Sequence, residues 1–365
     1  MMGDELDLSE LTGLISNVLQ RGGFGEVSPD QLAHLSDGVD LRTWNQLQSA
    51  GVLELGIPEL KGGAGFGVRE VAGVSEVLGG RLYPSPFLNA RVMVGTFLDL
   101  LGGEAATEQL KLLMTGSRRG AMAVPSAANL EAVTADAHDG QRATLTGTLN
   151  YIPDAIGADY FIVIAAENEV FTAHLVAADA DGMSIVRENP LDVTRPLVSL
   201  RMDGASASTL RGVMHVREAV ISMESTFLTA VAGEQLGGAR KCLEMATLYA
   251  KTRTQFGQSI GSFQAIKHTC ANMALDVRRA EAAVRHAVNA HAGSNNARAA
   301  AAHLAYATTA DVYSDVTRSS IQVLGGVGFT WEHSAHLYLK RAMSTAALVG
   351  DPTDHREKML QAAGF

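Results

Sequence analysis

The sequence predicts an α+β chain in which a helical region, an antiparallel β region and a bundle of long helices follow one another. Three observations carry this. Apolar residues recur at helical spacing through 1–118, short β-branched runs separated by turn residues fill 119–222, and helical spacing returns over 223–365. A chain of 365 residues is long enough for two or three domains, so these three segments are the expected domains.

In the first segment Val71, Val74 and Leu78, then Val92, Phe97, Leu98 and Leu101, mark helix faces, and Gly62-Gly63, Gly79-Gly80 and Pro84-Ser85-Pro86 interrupt them. In the second, strands are expected at 143–146, 160–165, 170–176, 197–202 and 213–216, with turns at 179–182 and at Asp203-Gly204. In the third, four helices are expected at 226–254, 263–292, 297–324 and 332–348. Helices of this length suit an antiparallel bundle, and faces built from Ala299 to Ala302, Ala305, Ala307 and Ala310 allow close helix approach or subunit contact.

Composition narrows the function. Apolar residues make up 47% and charged residues 19%, which excludes a disordered chain. The net charge of -10, with no basic cluster, argues against nucleic acid, so any anionic cofactor needs local basic residues. Cys242 and Cys270 have no metal-site spacing and allow at most one bridge, as expected in a reducing cytoplasm. The acidic start and the lack of any apolar run of membrane-spanning length give no support for export or a membrane span, and the expected location is cytoplasmic. The chain lacks G-x-S-x-G, Walker A and H-E-x-x-H motifs, and the glycines of 62–67 fail G-x-G-x-x-G because Val68 stands at the sixth position. Glu332, His333 and His336 have a spacing that could hold a metal, but a solvated or hydrogen-bonded helix face is the better account of them and no metal is assigned.

Two segments stand apart. Arg253-Thr-Gln-Phe256-Gly257 to Gln264, Lys267, His268 and Met273 places an Arg, an aromatic and a Gln at a break between two long helices, where an Arg and free backbone N–H groups suit a diphosphate. Gln322-Val-Leu-Gly325-Gly326-Val-Gly328-Phe329 again opens the chain for close backbone approach. As plain chain geometry, both are also helix-to-helix turns with glycine caps and Phe256 or Trp331 as core plugs.

Both segments resemble the signature stretches of the acyl-CoA dehydrogenase family, R-x-x-F-G…F-Q…K-H and Q-x-x-G-G-x-G-F, and Gly56-Ile-Pro-Glu59…Gly62-Gly63…Glu76-Val-Leu-Gly79 resembles its N-terminal pattern. The resemblance implies an acyl-CoA dehydrogenase-like fold: an N-terminal α domain, a middle antiparallel β domain and a C-terminal four-helix bundle. It also implies FAD shared across a subunit interface, its adenine and diphosphate half held by Arg253, Phe256, Gln264, Gln322, Gly325 and Gly326. The other half departs from the family. Its T-E-P-x-x-G-S-D-like turn is here Ala123-Val124-Pro125-Ser126-Ala127-Ala128-Asn129, and its flavin-lining W-x-T/S is Tyr151-Ile152-Pro153, so a hydroxyl donor is replaced by proline.

The family's α-proton abstraction needs a carboxylate. Counting from Arg341, the usual Glu position is Gly350, and the alternative position in the first bundle helix is Phe227, so Asp351 and Glu224, which lie beside them, are the candidate bases. Each also has a structural reading, Asp351 as a turn cap before Pro352 and Glu224 as a helix N-terminal carboxylate. The resemblance extends to subunits of heteromeric actinobacterial dehydrogenases acting on steroid side-chain CoA thioesters. The leading expectation is one subunit of an α2β2 assembly that donates the FAD adenine half-site to a homologous catalytic chain. A self-sufficient homotetramer using Asp351 or Glu224, and a flavin-free structural or regulatory paralogue, are the alternatives.

Overall fold

The computed structural model describes residues 8–25, 28, 32, 39–124, 126, 129, 132–138, 140–167 and 170–365. Helices come first: α1 (Leu8–Arg21), α2 (Leu41–Ser49), α3 (Val68–Gly80), a buried π-helical stretch (Phe87–Gly95) running into α4 (Thr96–Leu101), and α5 (Glu104–Met114). Local chemistry sets their ends. Asp40 caps α2 by accepting from the N–H groups of Arg42 and Thr43 at 3.1 and 3.3 Å. Gly102 and Gly103, at φ +65° and +85°, turn the chain between α4 and α5.

The sheet contains β1 (Gly120–Met122), β2 (Val133–Ala137), β3 (Arg142–Pro153), β4 (Tyr160–Glu167), β5 (Val170–Ala177), β6 (Met183–Arg187) and β7 (Leu197–Leu210) in the order β1-β4-β5-β7-β3-β2, with β6 also on β7. All pairs are antiparallel except β1 with β4. The parallel pair corrects the wholly antiparallel expectation. Long-range clamps set it: Asn89 binds the N–H and C=O of Met122 at 2.9 and 3.0 Å, and Asp159 binds the Arg119 N–H at 2.6 Å, which lays β1 beside the start of β4.

Residues 213–216 do not form the expected strand. The N–H groups of Val213 and Met214 bond to Leu101 O, docking the chain on the end of α4, and helix α6 (Val216–Thr252) begins there, ten residues before the expected start. A short hairpin, β8 (Thr254–Gln255) and β9 (Gln258–Ser259), leads to α7 (Gln264–Ala290), α8 (Asn295–Leu324), a 3-10 turn (Gly325–Phe329) and α9 (Ala335–Val349). A further helix, α10 (Pro352–Ala363), follows the expected four. Helices α3 and α6 cross with their backbones nearly touching: a Cβ on Gly233 would lie 2.5 Å from Ala72 O, and one on Gly237 would meet Glu76 O. The crossing therefore leaves no room between these helices for a ligand.

Among the described residues no helix is long and apolar enough to cross a membrane. Among the same residues no three His, Cys, Asp or Glu side chains are placed to hold a metal, and Cys242 and Cys270 are both free.

Candidate cofactor site

At one end of the bundle α6 gives way to an extended Arg253, whose N–H closes on Tyr249 O at 2.8 Å. The hairpin that follows turns on Phe256 and Gly257, with φ +52° and +77°, so both central residues are left-handed as in a type I′ turn. That conformation favours Asn or Gly and is strained for an aromatic. Phe256 nevertheless stands 92% exposed, its ring edge-on to Phe263 at 6.2 Å. Arg253 is exposed, and its guanidinium has no partner among the described residues. Gln264 opens α7, whose N-terminus has no side-chain cap, leaving backbone N–H groups free.

The second segment lies at the same end. Ile321 and Leu324 near the end of α8 pack with Ala335, and Met245, Tyr249 and Leu339 close on this cluster. Gln322 is exposed on the last turn, and Gly325 ends the helix at φ +65°. A Cβ added at Gly325 or Gly326 would meet nothing within 4 Å. Neither Phe256 nor Trp331 is a core plug: Trp331 is 57% exposed, with the Lys340 ammonium 4.8 Å from its ring centroid. No sequence motif marks the Trp331–Lys340 pair, because Trp331 lies in the turn before α9 and Lys340 within that helix. An unpaired guanidinium, two open glycines, free helix-start N–H groups and exposed aromatics fit a diphosphate with an attached ring system.

The β side is built differently. Asn89 Nδ2 also binds Pro153 O at 2.7 Å, clamping the ends of β1 and β3 together. Met122, Ala123, Val124, Asn129, Leu149, Ile162, Ile164 and Val220 enclose a cavity of about 10 Å³. That is room for roughly one water, against the ~300 Å³ or more of an ordinary ligand pocket. Asn129 is spent locally, its N–H on Ser126 Oγ at 3.1 Å and its amide on Val124 O at 2.9 Å. Pro125, Ala127 and Ala128 lie outside the described residues. Tyr151 sits in a bulge at φ +55°, half-exposed, with its N–H on Ser199 Oγ at 3.3 Å. The residues here do not fit a flavin ring.

The candidate bases are apart from the bundle-end segments. Asp351 is the N-cap of α10, and its Oδ1 accepts from Thr353 N–H at 2.7 Å, which holds its carboxyl below the usual range. Glu224 lies two turns inside α6, not at its N-terminus, because the helix starts early. Burial raises its carboxyl against the opposing pull of Lys358 at 3.8 Å. Gly350 has φ +127°, and a Cβ there would lie 3.0 Å from His355 Nε2. His355 is fixed in place by His303, Nδ1 to Nδ1 at 2.9 Å, and Tyr306 donates to Gly350 O at 2.7 Å. Phe227, at the alternative position, is buried in the core. None of the cavities described is lined by Asp351 or Glu224.

Comparison with known proteins adds the following. A model of the acyl-CoA dehydrogenase C-terminal domain matches residues 229–363. The acyl-CoA dehydrogenase IpdE2 of Mycobacterium tuberculosis is 32% identical over 323 residues, covering 87% of this chain and 85% of that one. Among solved structures, the ChsE4-ChsE5 complex from Mycobacterium tuberculosis matches with a TM-score of 0.87 at 25% identity, covering 98% of this chain and 96% of the matched chain. The Tcur3481-Tcur3483 steroid ACAD matches with a TM-score of 0.86, also at 25% identity, covering 98% and 97%.

Proposed function

This chain belongs to the acyl-CoA dehydrogenase family, and from that premise we propose that it is one subunit of a heteromeric, FAD-dependent acyl-CoA dehydrogenase, donating the adenine half-site to a homologous catalytic chain. The observation that carries the reading is an asymmetry: the bundle end is open and unpaired, while on the β side Pro153 stands where a hydroxyl donor is expected and Asn129 is already bonded to Val124 O. The likeness to a ChsE4-ChsE5 complex and to a steroid ACAD supports a two-chain assembly and a bulky CoA thioester, such as a steroid side chain, as substrate.

Bound FAD supplies a hydride acceptor for α,β-dehydrogenation to the 2-enoyl thioester. This chain's part is binding. Arg253 would neutralise diphosphate charge, Gly325 and Gly326 would admit the cofactor to the backbone, Gln264 and Gln322 would offer amide groups, and Phe256 would cover an aromatic ring. Removal of the α proton falls to a carboxylate of the partner.

Visible absorbance tests this directly. The chain purified alone should be colourless, and the same chain co-expressed with a homologous partner should be yellow; stoichiometric flavin on the lone chain would overturn the reading. A self-sufficient homotetramer is the second reading, and the half-buried Glu224 with its raised carboxyl favours that residue over Asp351 as its base. A flavin-free paralogue would have no use for an unpaired Arg253 beside open glycines.

A further inference from the structure

The segment before β7, helix α6 and helix α9 meet around a buried charge cluster with an odd number of members. Arg195 Nη2 binds both oxygens of Glu234, one at 2.6 Å, and Arg341 Nη1 binds Glu234 as well. Arg341 Nε reaches Asp192 at 3.1 Å and Thr194 Oγ1 at 2.8 Å. Asp154, just past β3, is the fifth charged side chain, and all five are buried. Two guanidiniums thus face three carboxylates.

The surplus falls on Asp154. Glu234 and Asp192 accept bonds directly from the arginines, whereas no side chain donates to Asp154, which is held at φ +56° with its N–H on Pro196 O. Arg195 Nε is likewise buried without a partner. Asp154 and Arg195 line one small cavity of about 10 Å³ with Ser75, Tyr83, Ser85 and Glu234, roughly the volume of one water. Arg195 Nε lacks a partner, no side chain donates to Asp154, and both residues line the same water-sized space, where a water could serve both.

We propose that folded Asp154 keeps its proton at mildly acid pH, where the unfolded chain has already released it, and shares this cavity with one ordered water that accepts from Arg195 Nε, so that the joint binds a proton and a water as internal ligands. With the proton bound, the buried charges balance at two against two. Ionisation leaves one buried carboxylate with no cation of its own, which weakens the joint between the β region and the bundle. Burial pushes the Asp154 carboxyl up to about 6; Arg195 and Arg341 oppose the shift, and Glu234 and Asp192 add to it. The only other titratable group on the cavity wall, Tyr83, is itself raised by burial and stays neutral.

The sign of the linkage follows. A carboxyl raised in the folded state binds its proton more tightly there than in the unfolded chain, so its contribution to stability is full below the unfolded value and is lost as pH rises through the folded one. Denaturant unfolding of the full chain and of Asp154→Asn, in whatever assembly it purifies, reads this between about pH 3 and pH 8, because the lower end must lie below the ordinary aspartate value of about 3.9. The variant should be close to neutral at the lower pH and more stable than the wild type at the higher, and other titrating groups cancel in the difference. A variant destabilised equally at both ends would show that Asp154 serves as a charged partner for the arginines and would overturn the proposal. If the variant does not fold, infrared spectroscopy of the wild type decides: a protonated-carboxyl band at the lower pH that disappears at the higher supports the proposal, and its absence at the lower pH overturns it. Neither measurement involves flavin or turnover, so the subunit reading stands or falls separately.

Discussion

Arg253 closes helix α6 and Arg341 lies inside helix α9, and the two places use the same side chain in opposite ways. Arg341 is consumed inside the chain, by Glu234, Asp192 and Thr194, and is 4% exposed. Arg253 is exposed and has no partner among the described residues. The glycines divide in the same manner: Gly237 is pressed against the backbone of α3, while Gly325 and Gly326 face open space. Residue type does not separate structural from functional roles here. What separates them is whether the chain supplies the complement itself.

Mutation can break this contrast at several strengths. Arg341→Met should be the most damaging, because it strands Asp192 as a buried charge and leaves Glu234 with Arg195 alone; about 3–5 kcal/mol of stability should be lost, seen as a lower denaturant midpoint. Arg253→Ala should leave the midpoint of the lone chain within about 0.5 kcal/mol. The same variant should weaken FAD retention in the assembled enzyme by about 1.5–3 kcal/mol, as measured by flavin release, and unchanged retention would remove Arg253 from the site.

Phe256→Asn sharpens the contrast in the other direction. Asn accepts the left-handed turn better than Phe, so the lone chain should gain up to about 1 kcal/mol while assembly with the partner weakens. A loss of stability in the lone chain would mean that the Phe256–Phe263 contact outweighs the strain. Smallest of all should be Asp351→Asn and Glu224→Gln, which should leave turnover of the assembled enzyme unchanged. A fall of about 10²–10⁴-fold in either variant, with flavin content intact, would instead place the base on this chain.

Much of this arrangement is legible in the sequence where its cause is local. The long helical periods of α7 and α8 come within a few residues of their observed ends, because cap signals such as Ser294, which accepts from Ala297 N–H, lie beside them. The strand β2, Val133–Ala137, is short and half polar and carries no such signal. The run at 213–216 alternates like a strand, but its N–H groups are taken by Leu101 O, a partner more than a hundred residues away in the chain. The same reason hides the buried cluster. Nothing near Arg341 or Arg195 in sequence marks Glu234 as their partner, and nothing near Asp154 shows that it is the odd carboxylate. Pro153 and Gly350 could be seen as departures from a motif, but the packing around them could not: the Asn89 clamp comes from a distant segment, and the His355 ring, though near Gly350 in sequence, is held by His303 of α8.

Helix α6 also fixes a length scale. Its 37 residues make a rod of about 55 Å, with Val220 on the wall of the closed β-side cavity near one end and Arg253 capping the other. A rod of that span is far longer than any dinucleotide, so a chain built on it cannot fold its own hairpin back onto its own sheet. Any cofactor touching both kinds of surface must therefore be shared between chains, and a lone copy, whatever its residues, holds at most one end of it.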